Sequence, residues 1–165
     1  MYDLQHAVNV ARLSMQIGKC LGFDTESLML LYTAGLFHDI GKMLVPEELL
    51  EKPATLSRDE YRIIQWHTTL GYGLLSQMPD SIHSTAAEAA LYHHERVDGS
   101  GYLGMRGKEI PLFARIIAIA DVLDALTANR PYREAWDKDD ALDYIYTHSG
   151  SMFDAEITTA YLRTK

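Results

Sequence analysis

The chain has 165 residues, the usual size of one domain and long enough to bury about two thirds of the surface that the unfolded chain exposes. Its composition is 47% hydrophobic and 23% charged, and no apolar run approaches the roughly 20 residues of a membrane span, so we expect a soluble protein. A net charge of -8 argues against binding to DNA or RNA polymers. The single cysteine, Cys20, excludes an internal disulfide, and we expect a cytoplasmic protein.

Apolar residues recur at helical spacing along nearly the whole chain, and no stretch shows the sustained alternation of a strand. We therefore predict an all-α domain. The second and sixth predicted helices are apolar on almost every side, which indicates central positions. In chain order, the predicted helices cover residues 3–21, 24–37, 46–52, 57–78, 81–94, 113–128, 138–148 and 154–162.

Local signals mark several of these boundaries. Gly22 closes the first helix, and Ser57 with Glu60 forms a capping box at the start of the fourth. The glycine-rich stretch 97–111 predicts a loop, and Pro131 limits the sixth helix. The fourth helix is expected to turn these apolar residues inward: Ile63, Ile64, Leu70, Leu74 and Met78.

Polar side chains occupy helix positions that should be buried. His67 shares the spacing of the apolar residues of the fourth helix, and His93 follows the small residues of the fifth. An unpaired charge or imidazole in a core is costly, so each such side chain needs a partner. The residues that meet this description are His6, His38, Asp39, His67, His93, His94 and Asp121.

The number of these residues favours metal binding. One buried histidine is more often a hydrogen-bonded core residue, but five histidines and two aspartates exceed what a core requires. Imidazole and carboxylate ligands suit iron, manganese, zinc or cobalt, and the lack of a cysteine cluster argues against a structural thiolate site. So many ligands predict two ions that share a carboxylate, for which Asp39 is the candidate. Two ions about 3.5–4 Å apart can hold a hydroxide for phosphoester hydrolysis.

The order of these residues resembles a known family. His6, His38-Asp39 and Asp121 follow one another as in the HD superfamily of metal-dependent phosphohydrolases, which is all-α. Further elements resemble the HD-GYP subgroup: HDIGK at 38–42, His67, HHERVDGSGY at 93–102 and DVLDALTANRPYR at 121–133. Its members are bacterial phosphodiesterases that linearise cyclic di-GMP to pGpG, and some continue to GMP. The resemblance implies this activity, in one domain over residues 1–165 with about seven to nine helices.

The resemblance also implies a set of metal ligands. It places one ion on His6, His38, Asp39 and Asp121, and the other on Asp39, His67, His93 and His94. The implied cofactors are two divalent transition-metal ions, iron or manganese in the first place, with zinc, cobalt or nickel as further candidates. Tyr2 stands where some members carry a glutamate for a third metal, so we expect a dinuclear site.

Residues that act on the substrate follow from the same resemblance. Asp39 and Lys42 are the implied catalytic residues, and Lys42 lies near the scissile phosphate, where it stabilises charge or helps to protonate the leaving oxygen. The residues implied to contact the nucleotide are Tyr102, Asp124, Arg130 and Arg133.

Several alternatives are compatible with the same residues. The metal site also suits another cyclic dinucleotide or a nucleotide monophosphate. Leu103 replaces the proline of the Gly-Tyr-Pro element, which favours a less rigid loop and leaves open a sensor that binds without turnover. Arg130 and Arg133 fit surface ion pairs with Glu134 or Asp137, and a purely structural helical domain is the simplest alternative. A homodimer through the first helix, and a fusion to or pairing with a sensory, receiver or GGDEF-type domain, are compatible with the resemblance.

Overall fold

The structure is a computed structural model that describes residues 4–78, 81–129 and 134–164, with only the backbone of residues 81–83. Within these ranges the chain forms nine α-helices and two short 3-10 turns. The described residues form no strand beyond an isolated bridge between Ser149 and Phe153. The prediction of an all-α bundle is therefore confirmed.

The helices follow the predicted order closely. Apart from the predicted helix over residues 57–78, their ends differ from the predicted ends by at most two residues, as frayed helix ends commonly do. The 3-10 turns cover Ile40–Leu44 and Gly107–Glu109. The helices are α1 (Leu4–Cys20), α2 (Thr25–Phe37), α3 (Glu47–Leu50), α4 (Arg58–Gln65), α5 (His67–Leu75), α6 (Ser81–Tyr92), α7 (Leu112–Thr127), α8 (Lys138–Thr147) and α9 (Ala155–Leu162).

Side-chain caps begin several helices where the sequence predicts them. The Asp24 carboxylate accepts a hydrogen bond of 2.8 Å from the N–H of Ser27 at the start of α2. Ser57 and Glu60 form both hydrogen bonds of a capping box at the start of α4. Such a cap satisfies N–H groups that the helix itself leaves unpaired, and each is worth about 1 kcal/mol.

The predicted helix over residues 57–78 is wrong in one respect, because it is broken at Trp66 into α4 and α5. The second part of the predicted helix, α5, buries a different side from the one that we predicted. Leu74 and Met78, which we expected to face inward, are 36% and 47% exposed. The buried residues of α5 are His67, Thr68, Gly71 and Leu75.

A close backbone contact selects this face of α5. A Cβ atom on Gly41 would lie 1.9 Å from the carbonyl oxygen of His67 and 2.5 Å from the backbone nitrogen of Gly71. The Ile40–Leu44 turn can therefore approach α5 only because residue 41 has no side chain. This tertiary contact overrides the apolar spacing from which the longer helix was predicted.

The core lies where α1, α2, α6 and α7 meet, with α5 packed on α6 and on the Ile40–Leu44 turn. The predicted small face of α6 is confirmed, because Ala86, Ala89 and Ala90 are fully buried and let neighbouring helices approach closely. No helix in the described part of the chain is long and apolar enough to cross a membrane. The candidate metal ligands lie on these helices or directly beyond their ends.

Candidate metal centre

Asp39 lies at the centre of a cluster of imidazoles. Its Oδ1 is 3.2 Å from Nε2 of His67 and 3.6 Å from Nε2 of His93. Its Oδ2 is 3.4 Å from Nε2 of His38 and 3.8 Å from Nε2 of His6. One carboxylate therefore faces four imidazoles that lie far apart along the chain.

The potential ligand atoms divide into two groups that share Asp39. One group, the three-histidine half-site, consists of Asp39, His67, His93 and His94, whose ligand atoms lie within 4.8 Å of one another. The atoms of His6, His38 and Asp39 lie within the same distance of one another. Asp121 adjoins this second group, with Oδ1 3.1 Å from Nε2 of His6. We call its members the His6 half-site: His6, His38, Asp39 and Asp121.

Backbone carbonyls hold three of these imidazoles in one orientation. His38, His67 and His93 each direct Nδ1 at the carbonyl oxygen three residues earlier, at 2.7, 2.6 and 2.9 Å. A carbonyl oxygen only accepts, so each Nδ1 carries a proton, and in the neutral form of the ring Nε2 keeps its lone pair. That lone pair points towards Asp39, as a metal ligand requires.

Helix ends explain why these carbonyls are available. His38 directly follows α2, His93 directly follows α6, and His67 follows α4 after the single residue Trp66. The last carbonyls of a helix have no partner within it and can accept side-chain hydrogen bonds. The break at Trp66 therefore also places His67 where it can use a carbonyl of α4.

Two polar atoms of the cluster test whether metal ions fit it. Nε2 of His38 and Oδ1 of Asp39 are buried and have no hydrogen-bond partner among the described residues. A buried polar atom without a partner costs about 1–3 kcal/mol, so such atoms are rare unless something else satisfies them. A cation would satisfy both. The nitrogen and oxygen donors of the cluster suit divalent transition metals.

The charges of the cluster agree with a metal site. Burial raises the pKa of Asp39, but the neighbouring His38 and the imidazoles of His67 and His93 outweigh burial and hold it well below its usual range. Burial lowers the pKa of His93 and, more strongly, of His94. An ionised carboxylate beside neutral imidazoles is the protonation state that binds a metal.

The His6 half-site has a different electrostatic balance. Burial lowers the pKa of His6, but hydrogen bonds with Asp121 and Asp124 outweigh it and raise that pKa to about 9. Burial likewise raises the pKa of Asp121, but its hydrogen bond with His6 leaves it below the usual range. Without a metal, this pair is therefore held together as an imidazolium and a carboxylate.

Lys42 and Tyr102 lie at the rim of the cluster. The ammonium group of Lys42 donates a hydrogen bond to Oδ2 of Asp39 from one turn further along the chain. The ring of Tyr102 lies 4.7 Å from that of His94, and the two rings line a cavity of about 380 Å³ together with Tyr61 and Asp121. Burial and the neighbouring Tyr61 raise the pKa of Tyr102, so its hydroxyl stays protonated.

Glu95 fixes the loop that carries Tyr102. Its two carboxylate oxygens accept hydrogen bonds from the N–H groups of Leu103 at 2.6 Å and Met105 at 2.7 Å. A proline at position 103 could not donate the first of these bonds. Leu103 therefore ties the loop to Glu95 through its backbone, while its side chain is 54% exposed.

The family model of the HD domain matches residues 3–157 of this chain. The chain belongs to the HD domain family. It is 44% identical over 148 residues to the cyclic di-GMP phosphodiesterase response regulator RpfG of Xanthomonas campestris pv. campestris, a match that covers 89% of this chain and 39% of that protein. It is 47% identical over 133 residues to 3'3'-cGAMP-specific phosphodiesterase 1 of Vibrio cholerae, which covers 80% of this chain and 30% of that protein.

The fold of this HD domain is also found in solved structures. An HDG"Y"P protein from Bdellovibrio bacteriovorus superposes with a TM-score of 0.76 at 22% identity, over 98% of this chain and 51% of that chain. The predicted resemblance to the HD superfamily is therefore confirmed. The chain spans less than half the length of the two curated relatives.

Asp124 of α7 lies next to α1 in this HD domain. It is 6% exposed, and its carboxylate is turned towards α1. Its Oδ2 lies 2.6 Å from Nδ1 of His6, and its Oδ1 accepts a hydrogen bond of 2.9 Å from Asn9. Both oxygens are thus engaged within the protein. Contact of Asp124 with a nucleotide stays a prediction, as do the roles of Arg130 and Arg133, which lie outside the described residues.

Sequence reasoning missed Asn9. It follows His6 by three residues, so the two side chains share one side of α1. That spacing was visible in the sequence, but the carboxylate that joins them belongs to α7, more than a hundred residues away. The role of Asn9 can therefore be recognised only from the contact between α1 and α7.

Proposed function

We propose that this HD domain is a metal-dependent phosphodiesterase that hydrolyses cyclic di-GMP to pGpG, with further hydrolysis to GMP as a second step. The observation that carries the proposal is the buried Asp39 carboxylate, which faces four imidazoles and is shared by two groups of potential ligands. The curated names of its relatives, which are phosphodiesterases of cyclic dinucleotides, support the substrate class. We further propose that residues 1–165 form one such domain.

The proposed cofactors are two divalent transition metals, iron or manganese in the first place. When bound, they supply the Lewis acidity that activates water and offsets the charge of the phosphate. Asp39 would contribute to both ions because each of its oxygens faces a different pair of imidazoles. One ion would be held by His6, His38, Asp39 and Asp121, and the other by Asp39, His67, His93 and His94.

Lys42 is the proposed proton donor. Linearisation of a cyclic dinucleotide adds a water oxygen to phosphorus and breaks the bond from phosphorus to the 3′ oxygen, which must gain a proton. Lys42 holds its ammonium group beside Asp39, and its side chain is 30% exposed, so it is accessible to a substrate above the cluster. It is therefore placed to stabilise the phosphate and to protonate the departing oxygen.

The cavity beside the cluster is proposed to bind one nucleotide unit. Its volume of about 380 Å³ and the aromatic rings of Tyr61 and Tyr102 suit a purine base, which stacks on such rings. The hydroxyl of Tyr102, which stays protonated because its pKa is raised, is proposed to contact the nucleotide. Arg130 and Arg133 are proposed to contact phosphate oxygens or a guanine edge.

A second candidate substrate is 3′3′-cGAMP. The observation that favours it is the 47% identity to a relative named as specific for that dinucleotide. Both molecules are cyclic purine dinucleotides and require the same bond cleavage. A direct comparison of kcat/KM for the two substrates decides between them.

The test is hydrolysis of cyclic di-GMP by the purified chain with manganese(II), iron(II), zinc(II), cobalt(II) or nickel(II), with products separated by chromatography. We expect pGpG with at least one ion and no product from the His38→Ala or Asp39→Ala variant. Intact cyclic di-GMP with every ion, together with hydrolysis of a mononucleotide, would make the assignment wrong. Saturable binding without product would favour the sensor, and absence of transition metal from protein purified without chelator would favour the structural domain.

The remaining features of the biological context stay predictions. They are a cytoplasmic location, a homodimer through α1, and fusion to or pairing with a sensory, receiver or GGDEF-type domain. Because this chain spans less than half of its curated relatives, the activity and partners of a whole protein are included in this proposal. Size-exclusion chromatography with light scattering tests the homodimer directly.

A further inference from the structure

His6 is anchored differently from the other histidines of the cluster. His38, His67 and His93 each follow the end of a helix and bind a backbone carbonyl through Nδ1. His6 lies in the first turn of α1, within the helix. Its Nδ1 instead contacts the carboxylate of Asp124 at 2.6 Å. Among the histidines whose Nδ1 contacts are described above, it is the one held by an acidic side chain.

Two carboxylates of α7 bracket the His6 ring. Asp121 Oδ1 lies 3.1 Å from Nε2, and Asp124 Oδ2 lies 2.6 Å from Nδ1. A spacing of three residues places both carboxylates on one side of α7. A metal ligand must offer a free lone pair, and the cluster side of the ring is its Nε2. Asp124 therefore fixes the proton on Nδ1 and directs Nε2 towards the cluster.

Asn9 in turn orients the Asp124 carboxylate. Its side-chain amide donates to Oδ1 of Asp124 at 2.9 Å, which leaves Oδ2 for His6. The Asn9 oxygen accepts a hydrogen bond of 2.9 Å from Gln5, so the orientation of the amide is also set. Asn9 is one turn beyond His6 on α1 and is not a member of either ligand group.

We propose that Asn9 and Asp124 are positioning residues for His6, and that they control metal occupancy of the His6 half-site but not of the three-histidine half-site. The inference rests on the proposed dinuclear function. It gives Asp124 the role of orienting the His6 ring from the side that faces away from the cluster. Partners of this kind typically change metal affinity by about 10- to 100-fold.

The test is manganese(II) titration of the apo-protein without substrate, with bound metal counted by elemental analysis and affinity measured by calorimetry. We expect two ions per wild-type chain. Asn9→Ala should weaken one of the two ions by about tenfold, and Asp124→Ala by about a hundredfold, with the second ion unchanged. Asp124→Asn keeps an oxygen that can accept from His6 and should fall between them. Asn129→Ala is the matched control, since Asn129 is exposed and contacts Ala135.

Double variants identify which ion is affected. Asp124→Ala combined with His6→Ala should lose no more metal than His6→Ala alone, because both changes act on one half-site. Asp124→Ala combined with His67→Ala should lose both ions. Circular dichroism on each variant separates misfolding from ligand loss, and Asn9→Ala carries the test if Asp124→Ala does not fold.

The proposal is overturned if Asn9→Ala and Asp124→Asn both keep two ions at wild-type affinity, or if they weaken both ions equally. These outcomes are independent of catalysis, because no substrate is present. A wild-type protein that binds two ions but leaves cyclic di-GMP intact would contradict the proposed function and leave this inference standing. A wild-type protein that binds no manganese(II) would overturn both.

Discussion

The two half-sites of this HD domain are built in different ways. The three-histidine half-site depends mainly on helix ends, where His67 and His93 use backbone carbonyls only three residues away. The His6 half-site contains one histidine of this kind, His38, but its other histidine, His6, is held by a side-chain contact between α1 and α7 that joins residues 118 positions apart. Asp39 belongs to both. Local backbone geometry therefore orients histidines of both halves, whereas the His6 half-site also needs the packing of two distant helices.

The shared carboxylate gives the largest expected effect. Asp39→Ala removes the residue that both half-sites use, so we expect both ions to be lost and kcat for cyclic dinucleotide hydrolysis to fall by about a thousandfold or more. Elemental analysis and steady-state kinetics measure the two effects. Asp140→Ala on the exposed side of α8 is the matched control. If the Asp39→Ala variant keeps one tightly bound ion, Asp39 is not required by both half-sites.

Gly41 tests the half-site that depends on backbone geometry. Its missing side chain lets the Ile40–Leu44 turn lie against α5, where a Cβ would meet the backbone of His67 at 1.9 Å. Gly41→Ala should therefore destabilise the fold by about 3 kcal/mol and displace His67. Denaturant unfolding and metal titration measure the two effects. Gly73→Ala, where an added Cβ meets nothing within 4 Å, is the matched control. Equal stability of both variants would contradict the close contact.

The pair of Arg115 and Asp154 anchors α7, the helix that carries Asp121 and Asp124. The guanidinium donates to the buried carboxylate of Asp154 at 2.5 Å. Burial raises the pKa of Asp154, but Arg115 and the N–H groups at the start of α9 outweigh it and lower that pKa. Because folding lowers this pKa, the contribution to stability is complete above the ordinary pKa of aspartate. It is lost as the pH falls through the pKa of the folded state.

Asp154→Asn should therefore lower the free energy of unfolding by about 1–2 kcal/mol at pH 7, and the difference from wild type should shrink towards pH 3. The asparagine oxygen can still cap α9, so the difference in stability measures the contribution of the Asp154 charge. Urea unfolding at a series of pH values measures it. Asp139→Asn, at an exposed position of α8, is the control. A difference that stays constant with pH would show that the ion pair is not its source.

Leu103 gives the smallest expected effect, in the loop that follows His94. Leu103→Pro removes the N–H that donates to Glu95 and should cost about 1 kcal/mol, whereas Leu103→Ala keeps it and should change stability by less than about 0.5 kcal/mol. Thermal unfolding compares the two. If the proline variant equals the alanine variant, the backbone bond contributes nothing measurable to the loop.

Much of the candidate metal centre could be predicted from the sequence, because each candidate ligand is a polar residue on, or directly after, a helix face that apolar spacing marks as buried. His67 and Asp121 stand out in this way. The direction of each ring could not be predicted. It depends on which carbonyl or carboxylate Nδ1 meets, and for His6 that partner lies on another helix. For the same reason the sequence did not indicate that the Asp124 carboxylate contacts His6 and Asn9 of α1.

The sequence by itself determined the all-α class, the helix boundaries marked by caps and glycines, and the candidate ligands. These features depend on interactions within a few residues, or on the contrast between polar and apolar side chains along one helix. The tertiary structure alone decided the break at Trp66, the buried face of α5 and the link from Asn9 through Asp124 to His6. Each of these arises where two segments distant in the chain come into atomic contact, and no local pattern specifies the distance between them.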